Sequence, residues 1–173
     1  EYLKLTSADF GAGQESKRAT KADCELAESA ARTAGWKASL TQCLTTQAAG
    51  KSAGVVVATR VRIGMSDAEP VLRTQHLHDT GRFGMKHVGA VCKGGFHLGS
   101  MYLYHTIGVT AKANLDLLDT VACTLAVLKG PWCIGCDFNC PPAHLIDTGW
   151  LKRVGGVVHF PKDPTTDKGK TYD

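Results

Sequence analysis

The pattern of hydrophobic and polar positions switches between helical and strand-like periods along the chain. Ser16 opens a stretch rich in Ala, Glu and Lys that runs to Gly35. Four apolar residues recur in it at helical spacing: Ala19, Ala22, Leu26 and Ala30. Ser16 is a good N-cap and Gly35 a good C-terminal stop, so we predict a helix between them.

Period-two alternation follows from Ser52 to Ile63. The pattern places Arg60 and Arg62 on one face and the apolar residues on the other, namely Val55, Val57, Val61 and Ile63. This arrangement predicts a half-buried strand. Val71–Leu77 is a candidate for a further short strand.

The second half of the chain again predicts a strand followed by a helix. Phe96–Tyr104 alternates, and residues 110–128 carry one apolar helical face that ends at Gly130-Pro131: Leu115, Leu118, Ala122 and Leu125. Trp132–Phe138 reads as a short buried strand, which the prolines at 141 and 142 end. We expect a helical turn over Ala143–Trp150 and a last strand over Val154–Phe160.

Alternation of strands and helices determines the predicted fold class. With 173 residues and 19 glycines, the chain fits one layered domain of the α/β or α+β class, spanning residues 1–173. Hydrophobic residues make up 43% and charged residues 21%, which excludes a wholly disordered chain. The longest apolar runs, such as Val55–Ala58, are far below the roughly 20 residues of a membrane span. We therefore predict no membrane partner.

Charge and cysteine content refine this picture only slightly. Twenty Lys and Arg against sixteen Asp and Glu give a net charge of +4, which suits a phosphate-bearing partner without requiring one. The seven cysteines are an odd number, and no apolar signal segment precedes them. We expect free thiols and an intracellular protein. Four of these cysteines should be small buried apolar groups: Cys24, Cys43, Cys92 and Cys123.

The segment Gly130–Asn139 is the most informative for chemistry. It is an apolar strand that carries an acid and an amide at its carboxyl end, where layered α/β folds place reactive groups. Period-two geometry puts Asp137 and Asn139 on one face, which suits a water or phosphate site. Alternatively, the pair closes the strand as an Asx turn. Glu15 lies at a second predicted strand end, and its alternative role is a solvated residue in the first turn of a helix.

These segments together resemble a known superfamily. Cys136-Asp137-Phe138-Asn139 behind Gly135 is similar to the Gly-Asp-Phe-Asn motif of the endonuclease/exonuclease/phosphatase (DNase I-like) superfamily, and Gln14-Glu15-Ser16 is similar to its Gln-Glu-Thr motif. The 52–63 and 100–104 segments lie between them in the family's order. The closest similarity in motif spacing is to retroelement-type and apurinic-site endonucleases, which act on DNA.

The resemblance implies a fold and an activity. The fold would be two mixed β-sheets packed face to face with outer helices, a four-layer sandwich that is incomplete at both ends of this chain. The activity would be metal-dependent phosphodiester hydrolysis, with nucleic acid as partner and a nuclear location for a retroelement-type enzyme. Phosphatases and RNA nucleases of the same superfamily are alternatives.

Residue roles follow from the same resemblance. Glu15 would hold Mg²⁺ or Mn²⁺, Asp137 would orient or deprotonate the attacking water, and Asn139 would fix that carboxylate or a phosphate oxygen. Tyr102 would offer its hydroxyl to charge developing on phosphorus. Asp173 would pair with a histidine of a Ser-Asp-His motif, which this sequence lacks, as it lacks the family's first-strand Asn. We therefore expect weak activity from this segment alone; His105 is the histidine nearest to the motifs.

Two alternatives from other classes remain open at this point. Cysteines at 133, 136 and 140 with His144 have spacings found in zinc sites, although Cys133 and Cys136 would face opposite sides of a strand. A small zinc-binding interaction module or a noncatalytic remnant would then replace the enzyme. Three basic residues after Glu15 would touch a nucleic-acid backbone or form a solvated helix face: Lys17, Arg18 and Lys21.

Overall fold

The computed structural model describes residues 6–45, 50–68 and 80–160. Its strands are β1 (Phe10–Gly13), β2 (Trp36–Leu40), β3 (Leu44–Thr45), β4 (Lys51–Ser52), β5 (Val56–Arg60), β6 (Met65–Asp67), β7 (Phe83–Val88), β8 (Phe96–Tyr102) and β9 (Trp132–Asp137). Its helices are α1 (Lys21–Thr33), α2 (Lys112–Leu125), α3 (Pro142–Asp147) and α4 (Trp150–Val154). The candidate strand Val71–Leu77 lies outside the described residues.

The first sheet is antiparallel, with strand order β1-β5-β2. The predicted strand from Ser52 to Ile63 is wrong at both ends, because Ser52 belongs to β4, which pairs with β3, and β5 ends at Arg60. The predicted half-burial is also wrong, since Val57 and Ala58, on opposite faces of β5, are both buried. A central strand covered on both sides shows no polar face in its sequence.

Helix α1 begins later than predicted. Thr20, not Ser16, is its N-cap: the Thr20 hydroxyl accepts from the Asp23 N–H, and the Asp23 carboxylate accepts from the Thr20 N–H. This reciprocal pair satisfies two backbone donors that a helix start leaves open. The Ser16 N–H instead donates to the Gly54 carbonyl at 2.9 Å, which ties the preceding segment to the loop before β5.

The second sheet has strand order β6-β7-β8-β9 and is mixed. Strands β6, β7 and β8 pair antiparallel, whereas β8 and β9 pair parallel, with α2 in the connection. The parallel register places Tyr102 opposite Asp137. Side chains of register partners lie on the same face, so the carboxyl ends of β8 and β9 present a tyrosine and an aspartate side by side.

Apolar clusters show how these elements pack. Helix α1 covers the first sheet through Ala31, Trp36 and Ala58. Residues of both sheets meet in a second cluster: Phe10, Val57, Met65, Val88, Phe96 and Leu98. The other face of β7 and β8 packs against α2, α3 and α4 through the largest cluster, which includes Phe83, Met85, Met101, Leu118, Val121, Leu145 and Trp150. Helices and sheets of the described residues therefore form an α+β arrangement.

Several further expectations were wrong in detail. Leu115 of α2 is 39% exposed, although Leu118, Ala122 and Leu125 are buried as predicted. Residues 155–160 form no strand, and the expected helical turn is the pair of short helices α3 and α4. All seven cysteines are thiols outside any disulfide, as predicted, but Cys92 and Cys123 are exposed rather than buried. Each helix within the described ranges is too short or too polar to serve as a membrane span.

A close approach between the sheets gives the first testable prediction. A Cβ added at Gly135 of β9 would lie 2.8 Å from the Ala12 Cβ of β1, whereas one at Gly11 meets nothing within 4 Å. We expect Gly135→Ala to lower the free energy of unfolding by about 1–3 kcal/mol, because the sheets must separate. Gly11→Ala, in the opposing strand, should change it by about 0.5 kcal/mol or less. Urea denaturation measures both, and equal effects would contradict this packing.

Candidate functional site

Side-chain hydrogen bonds join the end of β1 to the second sheet. The Ser100 hydroxyl of β8 donates to the Gly13 carbonyl at 2.8 Å. The Gln14 amide nitrogen donates to the Ser100 hydroxyl at 3.1 Å and to the Gly135 carbonyl of β9 at 2.9 Å. Three strands from distant parts of the chain are thus fixed together immediately before Glu15.

This junction places Glu15 beside Tyr102. The Tyr102 hydroxyl donates to Glu15 Oε1 at 2.9 Å, and Lys17 Nζ lies 3.5 Å from Glu15 Oε2. The Glu15 side chain is 48% exposed, so one side of the carboxylate faces solvent. Glu15 has a φ of 56°, in the left-handed region that non-glycine residues adopt only occasionally. The alternative role in a first helical turn is wrong, because α1 begins at Lys21.

Asp137 and Asn139 occupy the neighbouring strand end. Asp137 Oδ1 accepts from the Asn139 N–H at 2.9 Å, which is the Asx turn considered from the sequence. The Asn139 amide nitrogen donates to the Leu103 carbonyl at 3.1 Å, and Asn139 Oδ1 lies 3.0 Å from Nδ1 of His105. Asn139 also has a positive φ, 51°. The turn therefore aims the Asn139 amide back across the end of β8.

The pKa of Tyr102 depends on the three other predicted site residues around it. Burial, the hydrogen bond to Glu15 and the negative charges of Glu15 and Asp137 together raise the pKa of Tyr102 to about 12, against an opposing hydrogen bond with Asn139. Tyr102 is only 6% exposed, in keeping with the first of these causes. At neutral pH the phenol is therefore a neutral hydrogen-bond donor. The structure brings together Glu15, Tyr102, Asp137 and Asn139, and Asp173 lies outside the described residues.

Sequence reasoning missed Arg82 and Tyr104. Arg82 is 4% exposed, and its guanidinium donates to the Leu103 carbonyl at 3.3 Å and to the Ser52 hydroxyl at 2.9 Å. Its Cζ lies 3.7 Å from the Tyr104 ring centroid and 5.2 Å from that of Tyr102. The buried, positively charged Arg82 side chain therefore packs against both tyrosine rings. The irregular pattern between Gly64 and Lys93 gave no signal for it.

The donor atoms of the site suit a hard cation. Carboxylate and amide oxygens are what Mg²⁺ takes, and Mg²⁺ usually keeps several waters beside one or two carboxylates. Within the described residues, no three His, Cys, Asp or Glu side chains converge as a metal site. A cation at Glu15 would need water and substrate oxygens as its other ligands. The interactions of Glu15 with Tyr102 and Lys17 would have to be shared or exchanged.

The cysteines are arranged differently from a zinc site. Cys133 is the register partner of Leu98, which faces the first sheet, whereas Cys136 packs against the cluster under α2. The two thiols thus lie on opposite faces of β9, as the strand geometry predicted. Of the basic residues near Glu15, Lys17 lies at the site and Lys21 pairs with Glu25 on the exposed surface of α1.

Comparisons of the chain with protein-family models, curated proteins and solved structures found no match.

The high pKa of Tyr102 gives a second prediction. Because the folded-state pKa is raised from 10.0 to about 12, neutral Tyr102 contributes stability that is complete below about pH 10 and is lost as the pH approaches 12. Tyr102→Phe should abolish that loss and remove an ionisation near pH 12 from an ultraviolet absorbance titration. Glu15→Gln should shift the same ionisation to lower pH, since it removes a negative charge. An ionisation unmoved in Glu15→Gln would contradict the contact.

Proposed function

We propose that this chain belongs to a metal-dependent phosphodiesterase of the endonuclease/exonuclease/phosphatase (DNase I-like) superfamily, and that its substrate is DNA. The observation that carries the proposal is the convergence of Glu15, Tyr102, Asp137 and Asn139, residues up to 124 positions apart that the motif resemblance assigns to one site. Neither sequence motif by itself would have required them to meet.

The layer order supports the fold that the resemblance implies. One cluster joins α1 to the first sheet, a second joins the two sheets, and a third joins the second sheet to α2, α3 and α4. We propose that this order is the helix–sheet–sheet–helix sandwich of the superfamily. The first sheet, antiparallel over its described strands, differs from the two mixed sheets expected.

The arrangement suits in-line attack of water on a phosphodiester. Asp137, whose Oδ1 accepts from the Asn139 N–H, would orient the water and accept its proton as the new phosphorus–oxygen bond forms. The Asn139 amide and the Tyr102 phenol would contact phosphate oxygens and stabilise the charge that develops there. The bond to the leaving oxygen breaks as the new bond forms, and that oxygen takes a proton from a solvent water molecule.

A cation held by Glu15 would supply Lewis-acid stabilisation of the phosphate. Because Tyr102 donates to Glu15, its hydroxyl proton can reach a phosphate oxygen only when that hydrogen bond is exchanged. Because the Tyr102 pKa is about 12, the phenol keeps this proton near neutral pH and acts as a donor rather than a nucleophile.

A noncatalytic remnant is the second candidate, and one observation favours it. Lys17 Nζ lies 3.5 Å from Glu15 Oε2 and would neutralise the carboxylate that a cation needs. However, both side chains are about half exposed, with Lys17 at 53%, and such pairs contribute only about 0–1 kcal/mol. Lys17 can therefore be displaced by a divalent ion, and we favour the enzyme.

Substitution of the two carboxylates tests the proposal. In a version of the chain extended at both ends, Glu15→Gln and Asp137→Asn should each lower Mg²⁺-dependent cleavage of plasmid DNA by about 10²–10⁴-fold, the usual contribution of such groups. Glu25→Gln, an exposed glutamate that pairs with Lys21 at 3.7 Å on α1, is the matched control and should cleave at the wild-type rate. Far-ultraviolet circular dichroism checks that all three variants fold.

The substrate panel decides among members of the superfamily. Plasmid DNA, single-stranded RNA and a phosphate monoester should be assayed with Mg²⁺ and with Mn²⁺, in this chain and in a version extended at both ends. DNA cleavage that requires Glu15 and Asp137 supports the proposal. Cleavage of RNA or the monoester alone would reassign the substrate. Absence of metal-dependent hydrolysis in both versions would favour the noncatalytic remnant.

A further inference from the structure

The loop between β8 and α2 forms a cavity next to the proposed site. His105, Thr106 and Gly108 line it together with Asn139, and its volume is about 250 Å³. Each water occupies about 30 Å³ in the liquid, so the cavity has room for a phosphate group with some of its hydration. Asn139 is shared with the catalytic cluster, because it also contacts Tyr102.

Hydrogen bonding fixes the orientation of the His105 ring. The Asn139 amide nitrogen donates to the Leu103 carbonyl, which turns its oxygen towards His105. Nδ1 of His105 must therefore carry a hydrogen and donate to Asn139 Oδ1 across 3.0 Å. Nε2 makes no hydrogen bond to the described residues. In the protonated ring Nε2 gains a hydrogen and becomes a donor, while the bond to Asn139 is kept.

The backbone of the loop adds further donors at strained positions. Thr106 has a φ of 72° and Gly108 a φ of 79°; a β-branched residue in this region is a conformational outlier. Such outliers persist where the surrounding structure enforces them, and they cluster at binding sites. No backbone carbonyl of the described residues accepts from the N–H groups of residues 106–108, which lie on the exposed surface. The loop thus combines a histidine with backbone N–H groups that are open to a ligand.

The charges around the cavity set the conditions for an anion. Asp137, bonded to Asn139, and Glu15, bonded to Tyr102, oppose a negative ligand, whereas buried Arg82, stacked on Tyr104, favours one. Lys112 at the start of α2 pairs with Asp116. An anion in the cavity therefore depends on protonated His105 for its nearest compensating charge.

We propose that His105 and the loop 106–108 form a phosphate-binding subsite. If the proposed function is correct, this subsite binds the phosphate next to the scissile one and makes the substrate a polynucleotide rather than an isolated diester. That assignment rests on the proposed function, whereas phosphate binding at His105 does not. Only the protonated ring donates through Nε2, so the protonated form of His105 is the one that binds the anion.

Inorganic phosphate is the probe for the first experiment. Nitrogen-15 histidine spectra at about pH 6 should show His105 with hydrogen on Nδ1 and a saturable shift of its Nε2 signal on addition of phosphate. His144, exposed on α3, is the internal reference, and His144→Gln is the matched control variant. His105→Gln should weaken phosphate binding about tenfold or more, the effect of losing a charged hydrogen bond. Equal perturbation of His105 and His144 would overturn the proposal.

Hydrolysis then tests the subsite assignment. His105→Gln should raise KM for a DNA oligonucleotide about tenfold, as in the binding experiment, and leave KM for bis(p-nitrophenyl) phosphate unchanged, since that diester has no flanking phosphate. Equal changes for both substrates would reject the flanking-phosphate assignment. Absence of hydrolysis both by this chain and by the version extended at both ends would reject the proposed function, while the phosphate titration would still decide whether His105 binds an anion.

Discussion

The junction of Gly13, Gln14, Ser100 and Gly135 is the constraint on which the rest of the structure depends. Ser100 and Gln14 together make three hydrogen bonds that hold the end of β1 against β8 and β9. Gly135 lacks a side chain where Ala12 approaches, so the two sheets can come close at this point. Because Glu15 directly follows Gln14, its position beside Tyr102 depends on this junction rather than on any local preference of its own.

Hydrophobic periodicity correctly predicted the helices and strands that have the burial pattern typical of a helix or a strand. Strands β8 and β9 and helix α2 were located within a few residues, because apolar runs bounded by glycine and proline define them. The pattern failed for β5, which is buried on both faces, and for residues 155–160, where apolar residues follow two glycines without forming a strand. Contacts with elements that are distant in the sequence decide such cases, and the pattern of a single sequence carries no information about those contacts.

The start of α1 shows how a long-range contact overrides a local signal. Ser16 is a good N-cap residue by type, but its N–H donates to the Gly54 carbonyl. Its two neighbours in the chain, Glu15 and Lys17, both have positive φ. The chain therefore leaves β1 along an irregular path that ends at Thr20. Four site residues were found through motif resemblance, whereas Arg82 and Tyr104 were not, because a buried arginine held by carbonyls and rings has no characteristic spacing in sequence.

Structural explanations of the cluster account for only part of it. An Asx turn needs the Asp137 carboxylate and the backbone N–H of residue 139, but it makes no demand on the Asn139 side chain. That side chain nevertheless bonds Leu103, meets His105 and contacts Tyr102. A residue with positive φ whose amide is held by two neighbours, beside a tyrosine bonded to a half-exposed carboxylate, is more than a strand end requires. Binding of a phosphate diester explains the oxygen-rich, partly open arrangement with one set of interactions, and on this ground we prefer it to a purely structural role.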